Sequence, residues 1–151
     1  MGGGTTMTTT VNQLLNSKDD EIFSVTSGAL VIDAIKMMDE KKVGALLVIE
    51  NDKLVGIISE RDYTRKVILK NRSSAKTKVN EIMTSSLKTA DPSQSLDECM
   101  VIMAHSHIRH LPVVQDGQVI GILSIMDVVK NIISEQEFTI EQLQHYITDT
   151  A

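Results

Sequence analysis

Tryptophan is absent, and two Phe and two Tyr are the whole aromatic complement of this 151-residue chain. Stacking platforms for single-stranded nucleic acid are therefore poorly supplied. There is one cysteine, Cys99, which excludes an internal disulfide and fits a reducing compartment. No apolar run approaches the roughly 18 residues of a membrane span. Positive charge is not in excess either: 15 basic residues stand against 20 acidic ones, a net charge of −5. That balance excludes a generic nucleic-acid coat and leaves room for a local basic pocket. No Ser–His–Asp grouping, Walker loop or paired-carboxylate arrangement stands out.

What is present is one ordinary domain's worth of sequence, 16.6 kDa with 42% hydrophobic residues. A chain of this size buries roughly two-thirds of its unfolded surface and folds without disulfide or metal. With aromatics scarce, aliphatic side chains and eight methionines must build the core.

At the N-terminus Gly2 and Thr6 fit the loose myristoylation pattern. Three glycines ahead of a second methionine, Met7, read instead as a cloning remnant, with residues 1–10 a disordered start. Thr10 and Gln13 have capping-box spacing, which predicts a short helix over 11–16. Thr139 and Gln142 repeat that spacing, and Ile140, Leu143 and Ile147 share a stripe. The tail, 136–151, is thus expected to be a further short helix packed on the body or on a partner.

Slid against itself by 65 residues, the sequence aligns without a gap over more than 40 positions. Met38 falls on Met103, Leu46 on Leu111, Val48 on Val113, Gly56 on Gly121, Ser59 on Ser124 and Asp62 on Asp127. The chain is two copies of one unit, repeat 1 with its linker over 11–78 and repeat 2 over 79–135. Each unit reads as a short extended start, an amphipathic helix, two apolar strands joined by a tight turn, and a closing helix. The fold class is α/β in the α+β sense: β-α-β-β-α twice, with short flanking helices.

The chemistry sits at Gly56-Ile57-Ile58-Ser59-Glu60-Arg61-Asp62 and its echo Gly121-Ile122-Leu123-Ser124-Ile125-Met126-Asp127. Each puts Ser at a strand-to-helix junction and Asp in the first helical turn. Free N–H groups there suit an anion, the hydroxyl can donate to a phosphate, and the carboxylate suits the cis-diol of a ribose. The glycine lets a ligand approach the strand closely. Ser followed by an acidic residue three positions on is also a capping box. Because both copies keep Gly, Ser and Asp, the reading taken is a ligand site that also caps.

These segments, with Asp33-Ala34-Ile35, Met38 and His110-Leu111-Pro112-Val113-Val114, resemble a tandem pair of CBS domains, the module named after cystathionine beta-synthase. The likeness covers about 14–135 and is greatest to small stand-alone CBS-pair proteins. It implies one pseudo-twofold unit with two clefts for adenosine ligands such as AMP, ADP, ATP or NAD, and pairing of two units. By position it implies that Asp62 and Asp127 hold ribose, with Ser59 and Ser124 near phosphate or ribose. Ala45 and Leu46, and His110 and Leu111, would border base or phosphates, with Ile57, Ile122 and Pro112 in the same linings. Each cleft would borrow the other repeat's opening segment: Met83 and Thr84 beside Ser59, and Lys18 to Ile22 beside Ser124. Arg109 and His110 are expected at the Ser124/Asp127 cleft, where repeat 1 has only Gly44 and Ala45.

Arg61, Arg65, Lys66, Lys70 and Arg72 form the one basic stretch. A solvated helix face is its default reading, but Arg61 and Arg65 lie one turn apart beside Ser59, which suits phosphate. His105, His107 and His110 lack the convergence a metal needs, so no metal is expected. Cys99 reads as a buried structural thiol. Met37, Met38, Met100 and Met103 read as core or dimer surface and not as a cofactor box, and their excess over what one small core needs points to a homodimer.

The expected function is a regulatory adenine-nucleotide sensor, not an enzyme, whose ligand state shifts the geometry of the repeats or of the dimer. A protein partner would sense that shift. The alternative is a structural CBS pair with degenerate sites; an enzyme acting on a nucleotide is the weakest class. Binding without turnover, no binding, or product formation separates the three. Neither nucleic acid nor membrane is an expected partner, and the expected compartment is the cytoplasm or an organellar matrix.

Overall fold

The computed structural model describes residues 9–17 and 22–150, the side chains of 146–150 excepted. The readings made on residues 1–8, on Lys18 and on the Ile147 side chain lie outside that range. The elements in chain order are α1 (Val11–Ser17), β1 (Ser24–Val25), α2 (Val31–Lys41), β2 (Ala45–Glu50), β3 (Lys53–Ser59) and α3 (Glu60–Tyr63). A π-helical turn, Thr64–Ile68, and a 3-10 turn, Val79–Glu81, follow. Repeat 2 supplies α4 (Leu96–Ser106), β4 (His110–Gln115), β5 (Gln118–Ser124) and α5 (Ile125–Thr150).

The two units are the same β-α-β-β-α structure, as the repeat predicts. In repeat 1, β1 pairs parallel with β2 and β2 antiparallel with β3. In repeat 2, β4 and β5 pair antiparallel, and a single parallel bridge from Ala90 to Val113 stands where β1 stands in repeat 1. Both hairpins turn through two residues of positive φ, Asn51 and Asp52 in one and Asp116 and Gly117 in the other. Thr10 and Gln13 form the expected reciprocal cap on α1, with N–H to oxygen distances of 2.9 and 3.2 Å.

Two cores lie one in each unit, and each is completed by a segment from the other end of the repeat boundary. Val11 and Leu14 of α1 pack with Cys99, Met103, Leu111, Val113 and Val128 in the core of repeat 2. Val79 and Ile82 pack with Val31, Met38, Leu46, Ile58 and Val67 in the core of repeat 1. Backbone hydrogen bonds fix the exchange: Val11 N–H donates to the Gln94 oxygen at 2.9 Å, and Val79 N–H to the Ala29 oxygen at 2.8 Å. The units 11–78 and 79–135 describe the chain in sequence; in space, the opening segment of each serves its neighbour.

One expectation changes. The tail is not a separate helix, since α5 runs unbroken from Ile125 to Thr150. Thr139 is therefore interior, its hydroxyl donating to the Glu135 oxygen at 3.0 Å, and 136–145 stand exposed instead of packing on the body. Of the two readings of the methionines, the core one describes Met38 and Met103, which are buried, and Met37 and Met100, which are half-buried against the cores; a core with so few aromatics uses its thioethers inside.

Candidate functional site

The residues Ser59 to Asp62 do what their spacing predicts. Ser59 takes extended backbone angles at the end of β3 and caps α3. Its Oγ accepts from the Asp62 N–H at 3.1 Å, and Asp62 Oδ2 accepts from the Ser59 N–H at 3.0 Å. Ser124 and Asp127 repeat the pair at 3.1 and 3.0 Å. The Ser59 hydroxyl also points to Asp62 Oδ2 at 3.1 Å, so donation to a phosphate requires it to turn from the carboxylate. Asp62 Oδ1 faces Lys66 Nζ at 3.1 Å, and the same ammonium donates to the Ile82 oxygen at 2.9 Å. The π-helical turn that begins at Thr64 carries Lys66. A carboxylate offers about four lone-pair sites, so Asp62 retains acceptor capacity for a ribose hydroxyl.

Around this turn lies an open cavity of about 480 Å³, within the range of small-molecule sites. It is built from both repeats. Repeat 1 contributes Ile57, Ser59, Glu60, Arg61, Asp62, Arg65 and Lys66; the connecting segment gives Thr84, Ser86, Leu87 and Lys88. Repeat 2 contributes Ser106, His107, Ile108, Arg109, His110 and Pro112. Five permanent cations therefore face it against two carboxylates, a field that favours an anionic ligand. The wall is closed by a hydrogen bond from Arg61 Nη1 to the His107 oxygen at 3.0 Å. His107 can offer that oxygen because it ends α4 in the left-handed region, φ 55°.

The assembly adds to the expected grouping. Arg109, His110 and Pro112 line the Ser59/Asp62 cavity, while in their own repeat His110 stays opposite Ser124 in the ladder and the Arg109 oxygen accepts from the Ile125 N–H at 2.8 Å. The His110 ring lies over Gly44, where an added Cβ would meet its Cε1 at 3.6 Å. The two units oppose each other, so the strand that begins at His110 reaches the helix that begins at Glu60. Leu46 and Leu111 are fully buried in the cores, and Ala45 is buried beside Ser59 in the ladder, so none offers its side chain to the cavity.

Thr84 is the borrowed residue at Ser59: its N–H and oxygen exchange two bonds of 2.9 Å with Ile57. Met83 plays a different part. A Cβ on Gly56 would lie 2.6 Å from Met83 Sδ, and one on Gly121 would lie 2.7 Å from Leu15 Cδ2. The glycines of the motif admit the exchanged segments, not a ligand. Ser124, Asp127, Ile122 and the exposed Ile22 lie away from the lining of this cavity.

Lys66, Lys88 and His107 were missed as lining residues. Lys66 follows Asp62 by four on a helix, a signal present in the sequence. Lys88 and His107 arrive by tertiary packing and carry no local signal. Among the described residues no three His, Cys, Asp or Glu side chains converge as metal ligands, and no helix is long and apolar enough to cross a membrane.

Comparison with known proteins agrees with this architecture. A sequence model of the CBS domain matches residues 11–68 and 79–134. The chain is 40% identical over 148 residues to the mitochondrial CBS domain-containing protein CBSX3 of Arabidopsis thaliana, spanning 92% of this chain and 72% of that one. A solved protein with CBS domains from Burkholderia ambifaria superposes with a TM-score of 0.82 at 51% identity, covering 85% of this chain and 96% of that one. The CBS domain pair of protein MJ0100, solved with 5-methylthioadenosine and S-adenosyl-L-methionine, superposes with a TM-score of 0.75 at 26% identity, covering 85% and 98%.

Proposed function

The chain belongs to the CBS-domain family, and from that premise we propose that its Ser59/Asp62 cavity is a regulatory site for a phosphorylated adenosine ligand: AMP, ADP, ATP or NAD. The observation that carries this reading is the shared wall. One cavity is lined by Arg61, Arg65 and Asp62 of repeat 1 and by Arg109 and His110 of repeat 2. A ligand seated there contacts both repeats at once, so its binding energy is coupled to their relative angle. Asp62 takes the ribose hydroxyls, and the arginines and Lys88 take the phosphates. A phosphate that draws Arg61 from the His107 oxygen releases a tie between the repeats, which a protein partner can sense. The likeness to a CBS pair solved with adenosine-containing ligands supports the ligand class. The Ser124/Asp127 turn is assigned the same role in a second cleft. The protein works as a binding module and transforms nothing.

Calorimetric titration of the protein with each nucleotide, followed by long incubation and product analysis, tests this reading. Binding without turnover is expected. Asp62→Ala and Asp127→Ala each remove a charge-assisted hydrogen bond of about 1.5–3 kcal/mol and weaken binding in their own cleft by roughly ten- to a hundredfold. Unchanged affinity in both variants overturns the ribose assignment. Absence of binding to any adenosine ligand favours the second reading, an interaction protein, for which the engagement of Asp62 with Lys66 at 3.1 Å is the supporting observation.

A further inference from the structure

The cations that line the Ser59/Asp62 cavity are not equally engaged. Lys66 is held by Asp62 Oδ1 at 3.1 Å and by the Ile82 oxygen at 2.9 Å. Arg61 gives one nitrogen to the His107 oxygen and keeps its charge. Among the described residues the side chains of Arg65, Lys88 and Arg109 make no hydrogen bond or ion pair. They reach the cavity from three places: the π-helical turn, the connecting segment and the loop before β4. Of the two carboxylates present, Asp62 is engaged by Lys66, which leaves Glu60. Four cations thus face one carboxylate. The fold does not require them, since at the 65-residue offset Arg61, Lys88 and Arg109 correspond to Met126, Phe23 and Gly44. Like charges gathered round one cavity repel one another, and an anion seated among them relieves that repulsion.

We infer that this cavity selects a chain of two or more phosphates in its free form, not as the magnesium complex. The inference rests on the ligand reading above and narrows it: metal-free ADP and ATP are taken ahead of AMP, NAD and the magnesium nucleotides. A phosphate monoester carries about −2 near neutral pH, and each phosphate inserted behind it adds about one more negative charge. A monophosphate therefore leaves part of the excess positive charge unmatched, and a diphosphate matches it. The two phosphates of NAD are both bridged and lack the doubly charged terminus. Arg61, beside Ser59, serves the first phosphate; Arg65, Lys88 and Arg109 read those beyond it. Magnesium works against this recognition. The ion neutralises about two charges of the chain and keeps several waters of its own. Asp62 is already occupied by Lys66, and Glu60 stands alone among cations, so the hydrated ion meets a repulsive wall. The module then responds to free nucleotide, which magnesium sets as much as total nucleotide does.

Calorimetric titrations at constant ionic strength test this, with ADP, ATP, AMP, NAD and inorganic pyrophosphate, each in EDTA and in excess magnesium chloride. Metal-free ADP and ATP are expected to bind at least about tenfold tighter than AMP or NAD, and pyrophosphate to displace ADP. Excess magnesium is expected to weaken ADP and ATP by at least about tenfold and to change AMP little. Arg65→Met and Lys88→Met replace exposed side chains, with circular dichroism as the check on folding. Each is expected to lower the ratio of ADP to AMP affinity by about fivefold or more. Three results overturn the inference and leave the adenosine reading standing: equal affinity for AMP and ADP, ADP binding that magnesium strengthens or leaves unchanged, or a ratio kept in both variants. Pyrophosphate that binds where no adenine nucleotide does removes the adenosine reading and keeps the selection for linked phosphates. No binding of any of the five removes both.

Discussion

The guanidinium of Arg61 donates to the main-chain oxygen of His107 at 3.0 Å and ties α3 of repeat 1 to the end of α4 in repeat 2. The contact is solvent-exposed, so its worth is about 1 kcal/mol or less. Arg61→Met should lower the urea midpoint only slightly while weakening nucleotide affinity several-fold, because the same group faces the cavity. A variant that loses stability and keeps full affinity would restrict Arg61 to the inter-repeat tie.

His110 borders the cavity that holds Asp62, beside Arg109. An unperturbed histidine titrates near about 6.5, and a bound phosphate favours its protonated form. Affinity at the Ser59/Asp62 cavity should therefore rise as pH falls from about 8 to about 6. Titrations of wild type and His110→Ala at both pH values measure this. The same pH dependence in the two proteins would show that the ring is packing only.

Gly56 and Gly121 are set by close packing on Met83 and Leu15. Alanine at either position places a Cβ inside contact distance and should cost about 1–3 kcal/mol. Gly56→Ala should also loosen the paired bonds between Ile57 and Thr84, read as faster amide exchange at those two residues. Gly121→Ala should instead free α1. Full stability in both variants would mean that the two side chains swing aside at no cost.

Burial pushes the Cys99 thiol up to about 11 from 9.0, with the Glu98 charge adding to the shift. The unfolded chain thus ionises the thiol before the folded chain does. Stability from this group is full below about pH 9 and falls between about 9 and 11. Urea midpoints of wild type and Cys99→Ala across that window should show a shallower alkaline decline in the variant. Parallel declines would assign the loss to other groups.

The sequence by itself determined everything that repeats locally. The 65-residue offset, the alternation of strand and helix, the hairpin turns and the Ser–Asp caps depend on neighbours within a few residues, and each formed where its residues predict. The helix starting at Thr10 was legible for the same reason, and Asp62 with its Lys66 partner could have been. Tertiary structure alone decided which residues share a cavity. An apolar stripe such as Val11 and Leu14 specifies that a helix is buried, but hydrophobic burial is non-directional and two repeats of the same fold offer it two similar surfaces. The sequence is degenerate at that choice. It is settled by packing: Leu15 against Gly121, Met83 against Gly56, and the opposition of the two units that carries Arg109 and His110 to Ser59. The course of α5 past residue 136 was decided likewise, since capping spacing at Thr139 has no effect when the preceding turns are already helical.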